Sequence, residues 1–372
     1  SSLTAMMMDK GTQKRTKLEI SEALASMGSS LNFSTSLEEV IFTGRALSEK
    51  LEPTLDILFE MLQEPLFSPE EFDKLKRRIV DRLKQRLEST DDMAAELLYQ
   101  SLYPPKHPLC YPATETLIDI TEALTIEDIQ HFYQSHYGSQ GMMTAVVGDV
   151  EAHFLQERFN TSLSSWQQHN DPTIDIPDIP LQSKGARLNK HIPDKQNLSV
   201  LLGHQTSLKR NSVDFFPAML ANHTLGRSSI SSRLGLKVRD ELGLTYGIYS
   251  YFADTGIGAG PWVISVSTNP INLEKTIISV QEVCEEFLQT GMTSTELEDG
   301  KSSMIGSYLV GLSTNPGIAR RLLSIEFYNL GLDYFHEREK LIHHVSLQDV
   351  NLAIQKYFHI HQATIAIAGN FE

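Results

Sequence analysis

Cysteine is nearly absent: Cys110 and Cys284 are the only two in 372 residues. They could form one disulfide at most, and a four-cysteine zinc site is excluded. Both read as small buried apolar residues. Positive charge is also scarce, with 32 Lys and Arg against 47 Asp and Glu and a net charge of −15. Nucleic acids and anionic membranes reward Lys/Arg clusters, so neither is expected as the main partner. No stretch approaches the roughly 18–20 apolar residues of a membrane-spanning helix. The motifs G-x-S-x-G and C-x-x-C do not occur, which leaves a serine-hydrolase elbow and a thioredoxin-type redox site unsupported. Ser1 is neither an initiator Met nor the start of a charged-then-apolar leader. The expectation is a chain whose leader was removed, or a piece of something longer.

What is present is a plain globular composition, 41% apolar and 21% charged, in a chain too long for one core. The chain also repeats itself. Residues 125–150 (TIEDIQHFYQSHYGSQGMMTAVVGDV) align with 346–371 (SLQDVNLAIQKYFHIHQATIAIAGNF) at a constant offset of 221. In each copy a Ser/Thr cap opens a helix, and an apolar strand follows, Thr144–Val147 or Thr364–Ala368. A second echo pairs the amphipathic helices Leu51–Leu62 and Leu273–Phe287, followed by PLFSPEEFDKL and TGMTSTELEDG. Each half therefore reads as α+β, an antiparallel-rich sheet with helices packed on one face. The spacing predicts a first domain over 1–170, a Pro-rich linker over 171–185 and a second domain over 186–372.

Locally, Thr16 and Glu19 form a capping box, Gly28 ends that helix, and LNFSTS and VIFTGRAL read as two strands. Residues 1–8 look like a buried helix entering the Lys10-Gly11-Thr12 turn. The basic run KLKRRIVDRLKQR at 74–86 reads as a solvated helix face over a stripe of Leu75, Ile79 and Leu83. If that surface were concave it could attract acidic peptides.

Taken in order, MMMDKGTQKRT, ALASMGSSLNFSTS, LFSPEEFDKLKRRIV, HPLCYPATETL and AVVGDV resemble the insulinase/pitrilysin type of zinc metallopeptidase. LGRSSISSRLGLKVRDELGLTYGIYS in the second half does too. The similarity is nearest to the branch that holds the mitochondrial processing peptidase and paired bacterial peptidases. It implies half of a clamshell made of two similar domains. Active members carry H-x-x-E-H on the helix before the Gly-Thr turn, where two His ligate zinc and the Glu acts as general base. Those positions here are Ser2, Ala5 and Met6, and the later zinc-ligating Glu falls near Leu83. The resemblance therefore implies a non-catalytic member with no cofactor of its own, and zinc in a homologous partner subunit or domain.

In paired members the partner's second domain supplies an Arg and a Tyr to the zinc site, and the matching residues are Arg239 and Tyr246. A Tyr hydroxyl can donate to a developing oxyanion, and an Arg can hold substrate oxygens. Read by spacing alone, Arg239 is a solvated helix residue and Tyr246 a core aromatic. Gly226, Ser228, Ser229 and Arg233 would form a substrate-touching loop at the chamber mouth. The partners implied are a zinc-bearing homologue and unfolded peptides, and a bacterial periplasm or cell envelope is the compartment favoured. The different-class alternative is a structural or assembly subunit with no part in proteolysis; a fused half-protein is a third.

Four other groups have bland readings. Gly300-Lys301-Ser302 lacks the earlier glycine of a phosphate loop, since Thr295 stands there. His359 and His361 read as a solvated edge, and His343 and His344 share no face. His107 reads as a packing or capping residue.

Overall fold

The computed structural model describes residues 2–37, 39–167, 176–253, 256 and 258–371. Part of the expected linker, residues 171–175, lies outside the described residues. In chain order the elements begin with α1 (Ser2–Met7), α2 (Lys17–Ser26), β1 (Ser30–Thr35), β2 (Val40–Arg45), α3 (Leu51–Gln63) and α4 (Pro69–Leu87). Then come α5 (Thr90–Leu102), α6 (Thr114–Ala123), α7 (Ile126–His136), α8 (Ala152–Leu163), β3 (Arg187–His191) and β4 (Leu198–Gln205). Next are α9 (Phe215–Asn222), β5 (Ile248–Phe252), β6 (Pro261–Thr268), α10 (Leu273–Thr290) and α11 (Ser294–Gly311). The chain closes with α12 (Asn315–Phe327), α13 (Tyr334–His344), α14 (Leu347–Tyr357) and β7 (Thr364–Gly369). The fold is α+β.

Two compact units form. One comprises Ser1–Lys84 and Glu115–Ile174, the other Gln85–Thr114 and Asp175–Glu372. The sequence boundaries keep residues 85–114 with the first half, whereas in the structure they pack with the second. The reason is α5, which buries Met93, Ala94, Leu98 and Leu102 against Leu201, Val263, Ala366 and Ala368 of the second unit's sheet. Gly203 on β4 permits this approach, because an added Cβ would stand 3.0 Å from Leu98 and 3.1 Å from the Trp262 carbonyl.

That sheet has the order β3-β7-β4-β6-β5. The β3–β7 pair is parallel, and β7–β4, β4–β6 and β6–β5 are antiparallel. Every residue of β4 is buried. Its other face carries the main core, where Leu198, Val200, Leu202, Trp262, Ile264 and Ile367 meet α9, α10 and α14 through Leu220, Phe287 and Ile354. Helices thus cover both faces of this sheet, and a central strand buried on two sides shows no polar alternation.

In the first unit the sheet among the described residues is the β1–β2 antiparallel pair. The repeat is visible in the caps: Thr125 with Asp128 opens α7 and Ser346 with Asp349 opens α14, both as full capping boxes. Thr16–Glu19 and Thr293–Glu296 are capping boxes too. The copies part company at the strand that follows. Thr364–Gly369 is laddered on both sides by β3 and β4, while Thr144–Val147 is irregular, with Val146 exposed. A strand needs a neighbour for its N–H and C=O groups, and no described strand is laddered to this segment. With α8 it lines a groove of about 480 Å³ that includes Met142, Val146, Leu155 and Phe159.

His204 at the end of β4 is a buried polar group whose bonds are all made. Its Nδ1 donates to the Gln205 carbonyl at 2.7 Å and its Nε2 accepts from the His359 backbone N–H at 3.1 Å. That arrangement suits only the neutral ring. Burial, with the nearby His359 adding to it against the Gln205 bond, pushes its pKa down to about 4 from 6.5. The unfolded chain therefore takes up this proton first. Its contribution is intact above about pH 6.5 and is lost as pH falls toward 4, by about 3 kcal/mol in all. Denaturant melts of the wild type across that window should show the slope, and His204→Gln should flatten it. An unchanged slope in the variant would assign the acid sensitivity elsewhere.

Candidate functional site

The helix that carries H-x-x-E-H in active zinc peptidases of the resembled type is α1 here, and its donor set does not fit zinc. Ser2 offers a hydroxyl that accepts a hydrogen bond from Thr35 Oγ1 at 3.0 Å, Ala5 is a fully buried methyl, and Met6 is a half-buried thioether. Zinc sites are built from imidazole, thiolate and carboxylate. Leu83 is half-buried on α4, and Asp81 lies in a shallow groove of about 390 Å³ with Lys76, Arg77, Lys84 and Glu122. Two of those basic groups are tethered there, Lys76 Nζ to the Leu124 carbonyl at 2.7 Å and Arg77 Nε to the Asp73 carbonyl at 3.3 Å. Among the described residues no group of three His, Cys, Asp or Glu is placed to hold a metal ion.

The second candidate constellation lies wholly in the second unit. After α9 the chain makes a π-helical turn over His223–Arg227, a loop, and a wide π-helical segment over Gly235–Glu241 that carries Arg239. Leu234 and Val238 are fully buried and Leu244 nearly so, which fixes this segment to the core. The Gly243 N–H donates to the Arg239 carbonyl at 3.1 Å, and Gly243 sits at φ +62°, a left-handed geometry that glycine adopts without a Cβ penalty. Thr245 then closes a tight turn, its hydroxyl accepting from the Gly247 N–H at 3.1 Å and donating to the Gly247 carbonyl at 2.8 Å. Tyr246 stands at the apex of that turn and is 97% exposed.

A core aromatic on a strand is therefore not what Tyr246 is. It precedes β5 by two residues, and its backbone is held from behind by Arg239, whose Nε donates to the Tyr246 carbonyl at 3.1 Å. Asp240 pairs with Nη1 of the same guanidinium. The outcome is a displayed phenol on a braced backbone.

Of the four loop residues, three are spent inside the fold. Gly226 is buried where an added Cβ would stand 2.3 Å from Ser250 Oγ and 2.9 Å from Leu234, so it serves close packing. Ser229 is buried and its hydroxyl accepts from the Ile248 N–H at 3.1 Å, capping the free edge of β5. Arg233 forks onto Glu296 at 2.8 and 2.7 Å, donates to the Gly291 carbonyl at 2.9 Å and lies 4.8 Å from the Phe287 ring centre. Ser228 is half-buried, and its hydroxyl accepts from the Ile230 and Ser231 N–H groups, both at 3.2 Å. The structure thus brings Arg239 and Tyr246 together and directs Arg233 to the start of α11.

Glu296 shows how firmly that last tie is made. Burial pushes its carboxyl up, but Arg233 and the N–H and hydroxyl of Thr293 outweigh it and hold it at about 2, below the ordinary 4.5. Its stabilisation is complete above pH 4.5 and lost as pH falls toward 2. For a side chain 29% exposed, screening leaves about 1–2 kcal/mol. Glu296→Gln should remove that part of the acid transition in melts between pH 5 and 2.

Two family matches cover most of the chain. Residues 1–109 match the family described as Insulinase (Peptidase family M16), and residues 123–304 match Peptidase M16 inactive domain. The chain belongs to the M16, or insulinase, peptidase family. Among M16 relatives, the uncharacterized zinc protease YmxG of Bacillus subtilis is 25% identical over 316 residues, 84% of this chain and 75% of that one. The non-peptidase homolog YmxG of Helicobacter pylori is 25% identical over 376 residues, 99% of this chain and 84% of that one. The crystal structure of a peptidase M16 inactive domain from Pseudomonas fluorescens superposes with a TM-score of 0.89 at 24% identity, over 99% of this chain and 87% of that one. Within M16 this chain is a member without the H-x-x-E-H zinc motif.

The remaining motifs resolve as structure. Gly300-Lys301 lies inside α11, where Lys301 Nζ donates to the His343 carbonyl at 3.1 Å. His361 faces Glu285, while His359 Nε2 bonds the Lys356 carbonyl. His107 is buried and donates from Nε2 to the Pro177 carbonyl at 2.9 Å. No helix among the described residues is long and apolar enough to cross a membrane. Sequence reasoning missed Asn222, which sits behind the π-helical turn and hydrogen-bonds Ser250 and Trp262. The available signal was a lone amide ending the apolar run FFPAMLAN.

Proposed function

We propose that this chain is the zinc-less subunit, or half, of an M16 metallopeptidase. It pairs with a zinc-bearing homologue and helps to bind and cleave unfolded peptides. The observation that carries this reading is Tyr246. A phenol that is 97% exposed, on a turn tied by Thr245, Gly243 and Arg239, has no packing role to explain it. An exposed hydroxyl on a preorganised backbone is what stabilising a developing oxyanion in a partner's site requires. The zinc chemistry belongs to the partner, since Ser2, Ala5 and Met6 cannot supply it. Of the loop, Ser228 remains for peptide contact, while Gly226, Ser229 and Arg233 shape and brace it.

The test is to purify the chain, measure bound zinc, and assay a quenched fluorogenic peptide with and without zinc-bearing M16 partners. The expected result is no zinc and no cleavage alone, with cleavage by the mixture above that of the partner by itself. Stoichiometric zinc and cleavage by the isolated chain would overturn the reading. Failure of every partner to respond would favour the structural-subunit role.

A further inference from the structure

Three arginines of the second unit converge without a carboxylate. Arg338 on α13 is only 8% exposed, with its guanidinium 4.3 Å from the Tyr308 ring centre and 5.4 Å from that of Phe216. Its Nε and Nη1 have no hydrogen-bond partner. Arg321 on α12 lies 5.2 Å from the same Tyr308 ring. Arg210, just before α9, lies 4.2 Å from the ring of Phe215, which meets Phe216 edge-on at 5.7 Å. Both of these are half-buried. Among the described residues, none of the three is ion-paired to a carboxylate.

Physically this arrangement is unfinished. A guanidinium has five N–H donors, and burying any of them unpaired costs free energy. Ring contacts recover only about 0.5–2 kcal/mol. Burial is the main cause that lowers the proton affinity of Arg338; Tyr334 opposes it, and Arg210 and Arg321 each lower it further by less. The chain has 15 more acidic than basic side chains, yet no described one is placed here. A cationic cluster of this kind becomes satisfied when an external oxyanion supplies the acceptors.

We propose that Arg210, Arg321 and Arg338 form a binding site for a small oxyanion bearing two or more negative charges, a phosphate or a dicarboxylate. Arg210 and Arg321 form the rim and Arg338 the floor, with its free donors completed on binding. The site is independent of the peptidase reading.

Calorimetric titration and thermal melts of the full chain test it, with sodium phosphate and with sodium succinate, each against sodium chloride at matched ionic strength. Saturable one-to-one binding of at least one anion is expected, with a rise of several degrees in Tm. The anion that binds more tightly tells phosphate from carboxylate chemistry. Arg321→Gln, a half-buried side chain with no hydrogen bond to lose, should weaken binding about tenfold or more while the circular dichroism spectrum is unchanged. Arg338→Met should abolish it. No saturable binding of either anion would overturn the proposal, as would binding left intact in both variants. If Arg338→Met does not fold, Arg321→Gln decides alone.

Discussion

In a reconstituted pair with a zinc-bearing M16 partner, Tyr246→Phe is expected to lower kcat about 100-fold while KM changes little. Removing one oxyanion donor from a preorganised site costs on that scale, and the phenol hydroxyl is the only atom deleted. Folding should be untouched, because Tyr246 is 97% exposed and its ring supports nothing. Arg239→Ala should produce a similar loss for a different reason. Its Nε holds the Tyr246 carbonyl and Asp240 takes Nη1, so much of the guanidinium is engaged before any peptide arrives. Arg239 is then mainly a positioning residue for the Tyr246 turn. Arg239→Lys should not rescue it, since an ammonium lacks the planar fork that reaches both partners. Combining Tyr246→Phe with Arg239→Ala should cost little more than either alone, as for residues acting as one unit. Steady-state kinetics on a quenched peptide measure all four variants. A wild-type kcat from the Tyr246→Phe mixture would remove this chain from the chemistry.

Asn222→Ala should destabilise the second unit by about 3–5 kcal/mol. Its Nδ2 donates to the Ser250 carbonyl at 2.8 Å, and its Oδ1 accepts from Ser250 Oγ at 2.8 Å and from Trp262 Nε1 at 3.0 Å. Trp262 is fully buried and Ser250 nearly so, so all three groups lose their partner with no water to replace it. Each unsatisfied buried group costs about 1–3 kcal/mol. For a unit of this size the Tm should fall by roughly 10 °C. Asn222→Asp, which keeps the acceptor but loses the donor and buries a charge, should be no milder. A shift below about 2 °C in Asn222→Ala would mean that the triad is wet or slack. Because Asn222 ends α9 where the π-helical turn begins, its loss should also loosen the path toward Ser229.

Much of this was legible without coordinates. The Thr16, Thr125, Thr293 and Ser346 caps were readable because a hydroxyl followed by an acid three residues on is a local device, complete within one turn. β1 and β2 were readable from short-range alternation, and the 221-residue repeat from word order alone. The loss of the zinc ligands was equally plain, since Ser2, Ala5 and Met6 cannot coordinate zinc in any conformation.

Other features depend on partners distant in sequence. The spacing that predicts a strand over Thr144–Val147 holds over Thr364–Ala368 as well, yet only the second has β3 and β4 beside it. Helix α5 reads as part of the first half by position and belongs to the second by packing, because its apolar stripe faces β4 and β7. The pattern VRDELGLTYG placed Arg239 and Tyr246 close along the chain but could not tell a core aromatic from a displayed one. Burial of Leu234, Val238 and Leu244 decided that, by anchoring the segment so that Tyr246 is left outside. Arg233 and Arg338 carry the same charge, yet one is bound to a carboxylate 63 residues away and the other is left between two rings. Local chemistry fixes caps and missing ligands, whereas the role of a long polar side chain is set by what folding brings within about 3 Å of it.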